Sequence, residues 1–169
     1  MFLIAVGELT EEFITSRAVQ IIICSAISAI ICQLYKFIYY SIKYKKLEWF
    51  MLVSTGGFPS SHTSLVITLA VLLGLFEHHD MRTLDYSFAV SVVFAGVTIH
   101  DAMGVRYEAS KHAIILNKMV DNLSDEEKMD LGFGKNGKLK EMLGHRGTEV
   151  LGGMLIGMIV AFTSFYILK

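Results

Sequence analysis

The chain alternates long apolar runs with shorter polar breaks, on the length scale of membrane helices. From residue 18 to about 42 apolar side chains dominate, interrupted by serines, tyrosines, Gln20, Gln33 and Lys36. At a rise of about 1.5 Å per residue, this run is long enough to cross a hydrocarbon core of about 30 Å. Tyr35, Tyr39, Tyr40, Lys43, Lys45, Lys46 and Trp49 close it, an aromatic and basic anchor suited to the headgroup level. A second apolar run covers about 59–76, and the polar cluster Glu77-His78-His79-Asp80 after it reads as a turn. A third covers about 86–103 and ends in Asp101-Ala102-Met103-Gly104-Val105-Arg106. The fourth, 149–168, carries Gly152, Gly153 and Gly157, small residues at spacings that allow helices to approach closely.

The pattern predicts an all-α fold, a polytopic membrane protein with about four transmembrane helices in a bundle, forming a single integral membrane domain over residues 1–169. Residues 104–148 are the polar connection, expected to be partly helical, with a capping-box start at Ser124 and a Gly-rich stretch over 131–137. The opening apolar residues, Met1 to Val6, are too few to span and lack the basic start of a signal peptide. They are expected to lie in the membrane interface. Composition agrees: 53% of residues are hydrophobic and mean hydropathy is +0.52, too apolar for an ordinary soluble domain. The net charge of −1 gives no indication of nucleic acid. Cys24 and Cys32 lie in one apolar segment without a CxxC or Cys/His cluster, so both read as small core residues.

The candidate chemistry centres on Ser54-Thr55-Gly56-Gly57-Phe58-Pro59-Ser60-Ser61-His62, directly ahead of the second span. Gly56 and Gly57 permit a tight turn, Pro59 suits a first helical position, and Ser60 and Ser61 are capping residues. A helix start presents unpaired N–H groups and partial positive charge, so with two hydroxyls and an imidazole it suits an oxyanion. The same residues also serve as ordinary punctuation before a membrane helix.

Counting crossings adds a second argument. If the four spans alternate, the start of the second, the end of the third and the start of the fourth all open on one face. Ser60, Ser61 and His62 lie at the first of these points and Asp101 and Arg106 at the second. Gly144-His145-Arg146-Gly147-Thr148-Glu149 lies at the third. The same face collects 12 of the 15 Lys and Arg residues, leaving Arg17, Arg82 and Lys169 opposite. The positive-inside tendency makes that face, with the 104–148 loop, cytoplasmic. His78 and His79 fall on the other face and read as solvated.

Pro59-Ser60-Ser61-His62 resembles the Pro-Ser-Gly-His motif of the type 2 phosphatidic acid phosphatase and vanadium-dependent haloperoxidase superfamily. The run from Gly144 to Gly153, with a His followed four residues later by an acid and a Gly-rich helix, resembles its last motif. From about residue 18 onward the chain is similar to the divergent branch of that superfamily, the acid phosphatase/vanadium-dependent haloperoxidase-related proteins. The resemblance implies that His145 is a nucleophile forming a phosphohistidine, that Glu149 orients its ring, and that His62 is general acid and then base. It further implies phosphate binding by Gly57, Ser60 and Ser61, with Arg106, Lys36 and Lys45 as the cations and Asp101 and Glu141 in support. The chain departs from the parent pattern in having Lys138-Leu139-Lys140 where a Ser-Arg pair is usual, no Arg-Pro, Ser61 for Gly, and Glu149 for Asp.

The expected activity is a membrane-embedded phosphatase hydrolysing a lipid phosphate or pyrophosphate, without a cofactor and with a membrane lipid as partner. Two alternatives stand beside it. One is a lipid-phosphate binder or transporter that does not cleave. The other is a metal-assisted phosphohydrolase in which Asp101, Glu141 and Glu149 hold a divalent ion. The Gly-rich fourth span also offers a homo-oligomer contact.

Overall fold

The computed structural model describes residues 16–132, 137–139, 141 and 143–169. Met1 to Val6 and Lys140 lie outside the described residues. Among the described residues six α-helices and one 3-10 turn follow in order: α1 (Arg17–Tyr44), the turn Trp49–Leu52, α2 (Ser61–Met81), α3 (Tyr86–Met103), α4 (Val105–Val120), α5 (Asp125–Asp130) and α6 (Gly147–Leu168). No strand occurs among the described residues. Four helical stretches are long and apolar enough to cross a membrane, α1, α2, α3 continued by α4, and α6. The chain is an all-helical integral membrane protein.

α2 is the central helix, packed against α1, α3 and α6. It carries the most buried side chains of the four, including Thr63, Ser64, Thr68 and Leu72. The outward faces of the others are apolar, as with Ile22 and Ile38 on α1 and Val90 and Val93 on α3, because lipid rather than water surrounds them. The close seam between α2 and α6 depends on glycine. A Cβ on Gly153 would sit 2.4 Å from the Ser60 carbonyl, and one on Gly157 would sit 2.7 Å from that of Ser64. The small-residue stripe that suggested an oligomer contact is therefore occupied within the chain's own bundle.

The ends alternate as the crossing count predicts. Arg17 at the start of α1 donates to the Leu168 carbonyl at the end of α6 at 2.7 Å, and stands 3.9 Å from Asp80 near the end of α2. At the other end, Ser60 N–H donates to the Glu149 carbonyl and His145 N–H to that of Ala102, both at 2.9 Å.

Two boundaries differ from expectation, both of them on α2. α2 begins at Ser61 with Ser60 as its cap, so Pro59, joined to Phe58 by a cis peptide, precedes the cap and does not occupy the first helical position. α2 also continues through Glu77-His78-His79-Asp80 to Met81. Polarity there marks departure from the apolar layer, and the helix stops only at Arg82, in the left-handed region with its N–H on the His78 carbonyl. Within the polar connection, α4 forms a sixteen-residue helix after a break at Gly104. Cys24 and Cys32 are buried and free.

Candidate active site

Two helix starts converge at the motif end, those of α2 and α6, and each directs unpaired N–H groups and partial positive charge toward the same region. His62 is the second residue of α2, and His145 precedes α6 by two positions. Their ring centroids are 6.3 Å apart, although 83 positions separate them in the chain. Both rings are therefore near enough to contact one bound group.

His145 is held at two points. Its backbone N–H donates to the Ala102 carbonyl at the end of α3. Its Nδ1 lies 2.8 Å from Glu149 Oε2, the i,i+4 pairing that a helix start permits. The Glu149 carboxylate also accepts from the Arg146 N–H at 3.3 Å. Gly144 makes this possible, because a Cβ there would meet the Tyr107 backbone nitrogen at 2.3 Å. The ring is only 2% exposed, and its Nε2 is buried without a hydrogen-bond partner. With Nδ1 hydrogen-bonded to the carboxylate, Nε2 presents its lone pair to the site.

Lys36 provides a second buried group of this kind. It is fully buried on α1, its Nζ has no hydrogen-bond partner, and it interacts electrostatically with Glu149 and His62. Arg106 pairs through Nε with Asp101 across the break between α3 and α4. Both line a cavity of about 30 Å³ together with Thr55, His62, Thr98 and His145. Because Asp101 occupies the Nε edge, the terminal guanidinium nitrogens remain for an oxyanion.

Other expected site residues take different places. Ser60 is fully buried, and its Oγ accepts from the Thr63 N–H at 3.3 Å and from Thr63 Oγ1 at 2.9 Å, so its hydroxyl caps α2. Ser61 lines an adjacent groove. Gly57 adopts φ +87° and forms the turn beside a polar cleft on the Glu149 side. Lys45 is an exposed C-cap of α1 in the left-handed region. It lies nine residues beyond Lys36, about 13 Å along the helix axis, so Lys36 reaches the site and Lys45 does not. Glu141 accepts from Asn117 Nδ2 at 2.8 Å, and its carbonyl accepts from the Ser110 hydroxyl. Asp101, Glu141 and Glu149 thus each serve a different partner. Among the described residues no three His, Cys, Asp or Glu side chains gather as metal ligands.

Two supporting residues escaped the sequence reading. Asn117 is buried in α4 and bonds Leu139 through both its amide oxygen and nitrogen, at 2.8 and 2.9 Å, fixing the strand of loop that approaches His145. The only signal for it was an amide on the inner face of an amphipathic stretch. Gly144 lay within the motif, but its contact with Tyr107 comes from the α3–α4 break.

A family model described as the divergent PAP2 family matches residues 18–160. The chain belongs to the divergent PAP2 family. It is 39% identical over 150 residues to a Bacillus subtilis (strain 168) protein described as uncharacterized membrane protein YuiD, covering 84% of this chain and 92% of that one. No solved structure matches it. The match begins next to the start of α1 and ends within α6, so it takes in all four spans and every residue gathered at the site.

Proposed function

We propose that this protein is a membrane-embedded phosphatase that hydrolyses a lipid phosphate or pyrophosphate through a phosphohistidine. The observation that carries the reading is His145, whose buried Nε2 lacks a partner while Glu149 holds Nδ1, with the His62 ring 6.3 Å away between centroids. Membership of the divergent PAP2 family supports the phosphatase class.

In the first half-reaction the Nε2 lone pair of His145 attacks phosphorus and the P–O bond to the leaving group breaks. His62 gives its proton to the departing oxygen. In the second, His62 takes a proton from water, the water oxygen attacks phosphorus, and the P–N bond breaks to release phosphate and restore His145. Glu149 stabilises the imidazolium formed on the way. Arg106 and Lys36 meet the charge on the equatorial oxygens, and the N–H groups at the start of α2 add to them. The cavity as it stands has about the volume of one water. The phosphoryl group is therefore admitted by an outward swing of Arg106, whose side chain is half exposed. The basic residues around this end support a cytoplasmic orientation for it.

The test uses full-length protein in phosphatidylcholine vesicles, with phosphate release from a lipid monophosphate and acid-labile labelling of the protein from a ³²P substrate. Wild type should release phosphate with and without chelator and trap label, and His145→Ala should do neither. His62→Ala should slow turnover by about 10²–10⁴-fold, least with a leaving group that needs no protonation. Phosphate binding without release would favour the binding-only alternative. Inhibition by chelator with His145→Ala still active would favour the metal-assisted one.

A further inference from the structure

Gln33 Oε1 on α1 is buried without a hydrogen-bond partner, as Lys36 Nζ and His145 Nε2 are. Gln33 precedes Lys36 by three positions, so the two share one face of α1, about 4.5 Å apart along its axis. The amide is not free to turn. Its Nε2 donates to the Ser54 carbonyl at 3.1 Å, and since a carbonyl only accepts, the nitrogen must face Ser54 and the oxygen the other way. A fixed, buried acceptor costs stability unless a bound molecule supplies the donor.

Gln33 lines a groove between α1 and α2 together with Ser54, Thr55, Ser61 and His62. Thr55 and His62 also line the small cavity that holds Arg106 and His145, so the two spaces share a wall. Gln33 therefore stands on the His62 side of the reacting atoms, across from the nucleophile.

We propose that Gln33 positions the water that hydrolyses the phosphohistidine. The proposal rests on the phosphatase reading, since only a covalent intermediate calls for a second nucleophile. That water must approach phosphorus opposite the departing Nε2 of His145, from the His62 side, which is where Gln33 stands. Water has two O–H groups, and here each has an acceptor. His62 takes the proton of one as the oxygen attacks, while the second O–H donates a hydrogen bond to Gln33 Oε1 and keeps its proton. The oxygen lone pair is thereby turned toward phosphorus. The new P–O bond forms, the P–N bond breaks with its electron pair returning to Nε2, and the second proton leaves on phosphate. In the first half-reaction the leaving oxygen needs a proton from His62 and no acceptor, so Gln33 has no part in it. His62 serves both halves, and Gln33 serves one.

The experiment follows full-length protein in phosphatidylcholine vesicles with a ³²P-labelled lipid monophosphate, measuring how fast label is trapped on the protein and how fast it is lost, with and without methanol. Methanol has one O–H, which goes to His62, so its attack does not need Gln33. Gln33→Met should trap label at the wild-type rate and lose it to water about tenfold more slowly, the effect of removing one hydrogen bond. The ratio of methyl phosphate to phosphate formed should rise by the same factor. Gln33→Glu keeps an oxygen acceptor and should keep the wild-type ratio. An unchanged ratio in Gln33→Met overturns the proposal, as does a ratio raised equally in Gln33→Glu. Slower trapping of label in Gln33→Met also overturns it, by making Gln33 a support for the His62 ring or for the fold. If wild type neither releases phosphate nor traps label, the phosphatase reading itself fails and the water assignment falls with it.

Discussion

The two ends of the helix bundle treat polar groups in opposite ways. At the end away from the histidines they are tied to one another. Glu77, buried at the foot of α2, accepts from the Asp85 N–H at 2.7 Å and from the Ser87 hydroxyl. Arg17 bonds the Leu168 carbonyl and lies 4.4 Å over the ring of Phe76. At the motif end, Lys36 Nζ and His145 Nε2 are buried with no hydrogen-bond partner. Leaving a buried polar group unsatisfied costs about 1–3 kcal/mol, and more for a charge. The first end uses its polar residues to close the bundle, whereas the second holds two groups ready at a stability cost that a purely structural role would not justify.

The comparison fails most clearly if Lys36 is structural. Lys36→Met should reduce phosphate release by about 10²–10³-fold, the usual loss when a transition-state charge partner is removed. Thermal stability should hold or rise, because exchanging a buried charge for an apolar side chain of similar length is often neutral or stabilising. A drop in Tm with turnover intact would move Lys36 to the other class. Glu77→Ala should show the reverse pattern. It leaves the Asp85 N–H without its acceptor, costs about 1–3 kcal/mol in a thermal melt, and leaves kcat per folded molecule as in wild type.

The smallest effect concerns a group on the motif side that belongs to neither class. Glu127 closes the capping box of α5, and the backbone N–H of Ser124 holds its exposed carboxyl below the usual carboxylate range. A depressed carboxylate stabilises the folded form above its unfolded pKa, and that contribution is lost as pH falls through the folded pKa. Amide exchange over α5 should therefore quicken in acid below the ordinary carboxylate range, while exchange in the four spans is unchanged. Equal loss of protection in α6 would show that α5 is coupled to the site.

Much of this arrangement was legible in the residues. Spans were readable because a bilayer demands about twenty apolar residues in a row. Alternation then brought Ser60, Asp101 and His145 to one end without any knowledge of packing. Hydropathy could not locate the end of α2, since Glu77 is polar yet helical and buried. It also could not separate Lys36 from Lys45, because the resemblance offered both as cations for phosphate. Burial decides between them, and burial depends on how α1 lies against α2 and α6. Ser60 was legible as a capping residue, and its oxygen accepts two bonds from Thr63, which leaves its O–H as the group that could donate to phosphate. Asn117 and the close approach at Gly144 depend on the break at Gly104, whose angle no local pattern encodes.

Glu149 contributes to both halves of the site: its carbonyl receives the Ser60 N–H and its carboxylate holds the His145 ring. In engineering language it is a common datum. Parts located from a shared reference do not accumulate each other's tolerances, so the gap between His62 and His145 is set by a few bonds around one residue and not by the long path of chain through α2, α3 and α4. Loops on that path can lengthen, shorten or drift in sequence while the two imidazoles keep their spacing.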